Sequence, residues 1–158
     1  MVGLDVTLTG DSNSEHPGRA SPPARSLVLY DADCGFCKWL LAGLLRWDRA
    51  ARMQPIALGT PEADKLLHDL SSDERLASWH LISPGGERRS GGAAIPALLR
   101  TLPGGPPLAA CFARIPRATD RGYLWVARHR SQLSKLIPER SKRHAGRSVQ
   151  RRAARQLS

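Results

Sequence analysis

Apolar residues along this chain change their spacing at several points, and each change marks a predicted element. The short uninterrupted run Leu27–Tyr30 is typical of a buried strand. From Cys34 onwards, apolar positions recur every three or four residues, which indicates an amphipathic helix. These positions are Phe36, Leu40, Leu41, Leu44, Leu45 and Trp47. The pattern predicts a strand followed directly by a helix, with Asp33 as the N-cap of that helix.

The next segment predicts a second strand and a second helix. Met53–Leu58 is mostly apolar, and Pro55 within it favours the edge of a sheet because proline has no backbone N–H. Thr60 is a suitable N-cap and is followed by proline at the first helical position. We therefore expect a helix over Pro61–Leu70, with leucines on its apolar side.

The second half of the chain predicts a hairpin and then three helices. Segments 78–83 and 88–90 are the expected hairpin strands, joined by the turn Pro84–Glu87. The apolar spacing then predicts helices, with Pro116–Asp120 as a break before the last of them. They span 93–102, 108–115 and 123–137.

The order of these elements predicts the fold class. A strand followed by C-x-x-C and a helix, with a hairpin and a helix later, is an α/β thioredoxin-like layout. We expect a small central sheet flanked by helices, with extra C-terminal helices. The predicted domain covers 26–138. An N-terminal tail at 1–25 and a basic C-terminal tail at 139–158 are both predicted to be disordered.

Charge is concentrated at the C-terminal end of the chain. The formal net charge is +10, and 139–158 carries seven arginines and lysines against a single acid, Glu139. Such a tail predicts at most weak, nonspecific contact with nucleic acid or an anionic surface, since it has no aromatic residue for base stacking. No segment has the length of a signal peptide or of a membrane-spanning helix, so a cytoplasmic location is expected.

The cysteines are the residues that suggest chemistry. There are three, Cys34, Cys37 and Cys111, and an odd number argues against a disulfide-stapled scaffold. At C-x-x-C spacing in the first helical turn, two sulfurs can form a disulfide with little backbone movement. A helix N-terminus also lowers the pKa of a thiol. The pattern predicts a thiol-disulfide oxidoreductase, with Cys34 as the nucleophile and Cys37 as the resolving thiol.

Other interpretations of these residues stay open on the sequence alone. The C-x-x-C pair is also half of a zinc site, which would make the chain a noncatalytic metal- or nucleic-acid-binding module, although no second C-x-x-C is present. We predict no cofactor and no bound metal. Cys111 is expected to be a small buried apolar residue. The Arg128–Arg130 segment is expected either to face solvent or to stabilise a thiolate.

The wider segment carries a family resemblance. Leu29–Cys37 resembles the opening of the DCC family of thiol-disulfide oxidoreductases, whose D-x-x-C-x-x-C pattern is matched by Asp31, Cys34 and Cys37. Two later segments, 89–94 and 123–130, resemble its small-residue turn and its closing helix. The resemblance implies a thioredoxin-like fold and protein or small-molecule thiols and disulfides as substrates. It also implies a role for Asp31, which would orient the turn or shuttle a proton.

One position departs from the family pattern. The family usually has glycine directly after the aspartate, where this chain has Ala32. If that position required a positive φ, alanine would be strained by about 1 kcal/mol or more.

Overall fold

A computed structural model describes residues 25–157 as a four-stranded mixed sheet surrounded by helices. The strands lie in the order β2-β1-β3-β4; β1 is parallel to β2 and antiparallel to β3, and β4 is antiparallel to β3. They span Ser26–Tyr30 (β1), Met53–Ala57 (β2), His80–Ile82 (β3) and Arg88–Ser90 (β4). The predicted α/β thioredoxin-like fold with extra C-terminal helices is confirmed. The edge position predicted for the strand that contains Pro55 is also confirmed.

Seven helices pack around this sheet in the described part of the chain. A short 3-10 turn, Gly91–Ala93, precedes the fourth of them. The helices are α1 (Gly35–Trp47), α2 (Pro61–Leu66), α3 (Ser72–Ala77), α4 (Ala94–Thr101), α5 (Pro106–Arg114), α6 (Pro116–Leu136) and α7 (Glu139–Leu157).

The central strand β1 is buried on both faces, which explains its uninterrupted apolar sequence. Val28 and Tyr30 face the larger core, with residues of α1, α4 and α7. Leu27 and Leu29 face a smaller core with Ile56 and residues of α2. Because the end of β1 is fixed from both sides, the turn that follows it is held in a defined position.

Two predicted boundaries are wrong for local reasons. Pro116 does not break a helix; it occupies the first turn of α6, where the missing N–H has no helical partner to lose. The helix predicted over Pro61–Leu70 ends at Leu66, although its Thr60 cap is confirmed by a hydrogen bond from the N–H of Ala63. Helix α3 was not predicted from the sequence, although Ser71 and Glu74 form a capping box at its start.

The prediction of a disordered C-terminal tail is also wrong. Residues Glu139–Leu157 form α7, which packs along α1 and against β2. Ala145 and Val149 are buried in the larger core. Arg152 reaches the fully buried carboxylate of Asp48, with 2.8 Å between Nη2 and Oδ2. The N-terminal tail predicted at 1–25 lies outside the described residues except for Arg25, which is exposed.

Candidate active site

The turn between β1 and α1 is organised by Asp31. Its Oδ1 accepts hydrogen bonds from the backbone N–H of Asp33 at 2.9 Å and of Cys34 at 3.3 Å. Asp33 itself is exposed and does not cap the helix, so that prediction is wrong; the N-cap is Cys34. Ala32 is not among the described residues with a positive φ, and it therefore carries none of the strain that a left-handed conformation would impose.

Cys34 has the features of a reactive thiol. Its Sγ accepts the backbone N–H of Cys37 at 3.2 Å, and its side chain is partly exposed. Hydrogen bonding from the side chain and the backbone of Cys37 lowers the pKa of Cys34 to about 6, against the opposing effects of burial and of the Asp31 charge. A thiol with this pKa is mostly thiolate at neutral pH.

Cys37 has the opposite character. It is buried, and its pKa is raised by the hydrogen bond to the Cys34 sulfur, by burial and by the Cys34 charge. The side chain of Trp79 also hydrogen bonds to Cys37, which acts in the other direction. The two cysteines are free thiols in this structure. Cys37 is therefore the thiol that holds a proton and shares it with the thiolate of Cys34.

Two glycines in the 3-10 turn allow helix α6 to pack closely beside the site. Gly91 has a φ of +59°, and a Cβ there would lie 3.2 Å from the ring of Tyr123. A Cβ at Gly92 would lie 2.8 Å from the backbone Cα of Asp120, so only glycine allows this approach. The hydroxyl of Tyr123 accepts the backbone N–H of Trp79 at 2.9 Å. The turn and the helix therefore hold Trp79 against the buried thiol.

Arg130, one turn from the middle of α6, brings a positive charge to the site. Its Nη1 lies 3.9 Å from Oδ2 of Asp31 and donates to the carbonyl of Leu76 at 3.3 Å. Its charge lowers the pKa of both cysteine thiols. Within Arg128–Arg130, the expected stabilisation of a thiolate therefore applies to Arg130. Arg128 is exposed, and the ring of His129 stacks on Trp125.

Comparison with protein families identifies the chain. A family model, DCC1-like thiol-disulfide oxidoreductase, matches residues 28–136. The chain belongs to this family. The match runs from β1 to the last turn of α6 and so contains every residue described above at the site. Neither the comparison with curated proteins nor the comparison with solved structures gave a match.

Some predicted features of this DCC1-like chain lie away from the site. Cys111 is exposed on α5 rather than buried, so that prediction is wrong. Between residues 25 and 157, no three His, Cys, Asp or Glu side chains come together as metal ligands. In the same part of the chain, no helix combines the length and the apolar character needed to cross a membrane. The cytoplasmic location and the contact with nucleic acid or an anionic surface stay predictions.

Trp79 is the site residue that sequence reasoning missed. In the sequence it lies within the predicted strand 78–83, where an aromatic residue is expected to pack in the core. Its contact with Cys37 depends on β3 lying next to β1, and its backbone is held by Tyr123, 44 positions later in the chain. A period-two apolar pattern carries no information about such a pairing.

The two charged side chains that act on the pKa of Cys34 predict opposite mutational effects. Arg130→Gln removes a cation and is expected to raise the pKa of Cys34, whereas Asp31→Asn removes an anion and is expected to lower it while keeping an oxygen for the turn. At pH 5 the rate of alkylation is proportional to the thiolate fraction. We expect Arg130→Gln to react about two- to fivefold more slowly than the wild type, and Asp31→Asn to react about two- to fivefold faster. This magnitude is typical of partly exposed charge pairs. Arg128→Gln is the control, because that side chain is exposed; equal rates in all variants would contradict the prediction.

Proposed function

We propose that this chain exchanges disulfides through Cys34 as the nucleophile and Cys37 as the resolving thiol, with Asp31 holding the turn that presents Cys34. The observation that carries the proposal is the position of the Cys34 sulfur at the start of α1, where it accepts the N–H of Cys37. Membership of the DCC1-like thiol-disulfide oxidoreductase family supports it independently.

The exchange consists of two sulfur substitutions. The Cys34 thiolate attacks one sulfur of a substrate disulfide, a Cys34–substrate disulfide forms, and the other half of the substrate leaves as a thiolate. Cys37 then loses its proton and attacks the Cys34 sulfur, and the bound half leaves as a second thiolate. The substrate gains two electrons, and the protein is left with a Cys34–Cys37 disulfide. The same steps in reverse oxidise a substrate dithiol.

The environments of the two sulfurs suit these two roles. Cys34 is partly exposed and ionised, so it is available for the first attack. Cys37 is buried and protonated, which prevents it from competing for the substrate. Once Cys34 is in a mixed disulfide, its negative charge is gone, so its hydrogen bond and its charge no longer raise the pKa of Cys37, and only burial still does. The resolving thiol therefore becomes more acidic when it is needed.

Asp31 acts in this proposal as a positioning residue. It holds the N–H groups of Asp33 and Cys34 through a single oxygen, while its other oxygen faces Arg130. Its charge disfavours the Cys34 thiolate, so its contribution lies in the geometry of the turn rather than in ionisation of the thiol. The alternative role, as proton acceptor for Cys37, stays a prediction.

The test is the pH dependence of Cys34 alkylation. Because the pKa of this thiol is lowered to about 6, its reaction with iodoacetamide should rise between pH 5 and 7 and then be constant up to pH 9. Cys111→Ser serves as the background, since Cys111 is the other thiol that is exposed. Intact mass identifies a single adduct, and peptide mapping places it. A midpoint near the ordinary thiol value of about 8.5 would contradict the proposal.

A further inference from the structure

An apolar groove runs from Cys37 into the space between α1, α4, α5 and α6. Its volume is about 410 Å³, within the range of small-molecule pockets. We call it the Cys37 groove. Its apolar walls include Leu40 and Leu44 of α1, Ile95 of α4, Phe112 of α5 and Val126 of α6. The groove therefore places the buried sulfur of Cys37 beside a lining that is mostly hydrocarbon.

The polar side chains that line the groove are engaged by the protein. The hydroxyl of Tyr123 accepts the N–H of Trp79, and the hydroxyl of Thr119 lies 3.1 Å and 3.0 Å from the carbonyls of Phe112 and Ile115. Arg130 donates to the carbonyl of Leu76 and faces Asp31. A polar ligand would lose its bonds to water here and, apart from the remaining N–H groups of Arg130, would meet groups that already have a partner in the protein.

The groove begins beside the exchanging sulfurs, although Cys34 itself is not among the residues that line it. Cys37 contributes to its lining, and the N–H of Cys37 is 3.2 Å from the sulfur of Cys34. A group carried within a few bonds of the sulfur that Cys34 attacks can therefore enter the groove while the mixed disulfide forms. An apolar group would be stabilised there by transfer out of water. The location suits the part of a substrate that lies next to its disulfide.

We propose that the Cys37 groove binds an apolar side group next to the substrate disulfide, so that this protein prefers apolar disulfides to polar ones. The inference rests on the proposed exchange at Cys34 and Cys37. The step is the exchange already described: Cys34 bonds to one substrate sulfur, the second substrate sulfur leaves as a thiolate, and Cys37 releases the first. The groove changes only how tightly the disulfide is held.

The test compares two peptide disulfides of equal charge. They are the symmetrical disulfides of N-acetyl-Cys-Phe-amide and N-acetyl-Cys-Ser-amide, and thiol release is followed with the reduced full-length chain. Each chain is oxidised once, so the quantity compared is the second-order rate constant of this single turnover. We expect it to be at least about tenfold higher for the Phe peptide, which corresponds to about 1.4 kcal/mol. Equal rate constants for the two peptides would overturn the inference.

A groove-filling variant makes the test specific. Gly122 lines the groove, and a Cβ added there meets nothing within 4 Å, so Gly122→Leu extends into open space within a helix that it does not disrupt. The preference for the Phe peptide should fall to less than one third. Gly43→Leu is the matched control, because Gly43 lies in a helix with equally open space but outside this groove, and the preference should persist.

A second filling variant and a fold check keep the outcomes distinct. Ala118→Leu adds volume from another position on α6 and should reduce the preference in the same direction. Circular dichroism establishes that each variant is folded. If the Ser peptide reacts and the preference is absent or survives both filling variants, the groove inference fails while the exchange function stands. If neither peptide reacts with the reduced chain, the proposed function fails, and the inference fails with it.

Discussion

Replacing Cys34 with serine is expected to lower the rate of disulfide exchange by at least about a thousandfold. A serine hydroxyl at this position is protonated at neutral pH, whereas the pKa of the Cys34 thiol is lowered to about 6. In the wild type the backbone N–H of Cys37 donates to the sulfur of Cys34. In the variant it can donate to the serine hydroxyl oxygen instead, so the turn should fold as before. The measurement is the single-turnover oxidation of the reduced protein by a small disulfide, followed by mass.

Cys37→Ser should separate the two halves of the same reaction. Cys34 should still attack the substrate, but no thiol remains to resolve the product, so a mixed disulfide should accumulate with the mass of one substrate half. Cys111→Ser is the matched control, because its thiol is exposed on α5 and outside the site; its exchange rate should be unchanged. Rapid turnover by Cys37→Ser, or loss of activity in Cys111→Ser, would contradict the assignment of nucleophile and resolving thiol.

The second large effect is expected at Asp48, where the end of α1 meets α7. The side chain of Asp48 is fully buried, and it accepts the N–H of Arg52 at 3.0 Å, the N–H of Met53 at 2.9 Å and Nη2 of Arg152 at 2.8 Å. The same Nη2 also donates to the carbonyl of Asp48 at 2.9 Å. One carboxylate thus joins the helix end, the start of β2 and the last helix.

Asp48→Ala is expected to lower the free energy of unfolding by about 3 to 5 kcal/mol, because it removes the carboxylate that pairs with the guanidinium and accepts two backbone N–H groups. Arg152→Met should also destabilise, since the carboxylate stays buried with less compensation. Urea denaturation measures both effects. Arg151→Ala is the control: that neighbouring arginine is exposed, and its removal should change stability by no more than about 0.5 kcal/mol. An Asp48→Ala chain as stable as the wild type would show that α7 is not held by this contact.

Most of the fold follows from patterns that act over short distances. Three local patterns each specify an element, and the structure confirms all three. They are the apolar run Leu27–Tyr30, the three- and four-residue spacing after Cys34, and the Thr60 cap followed by Pro61. The segment 139–157 could not be predicted in this way. Its apolar positions, such as Ala145 and Val149, are too few to mark a helix among seven bases, and its order comes from packing on α1 and from the bond to Asp48.

The same division applies to the site. The sequence by itself determined the pair Cys34 and Cys37, their place at the start of a helix and the aspartate that precedes them, because these features lie within seven consecutive residues. Only the tertiary structure decided how deeply each thiol is buried and which distant side chains act on it. The difference in pKa comes first from the hydrogen bond between the two cysteines and from burial. Trp79, just before β3, and Arg130 of α6 then lower the pKa of Cys37, and Arg130 also lowers that of Cys34. Burial and charge are set by neighbours in space, and those neighbours are not encoded by the spacing of residues along the chain.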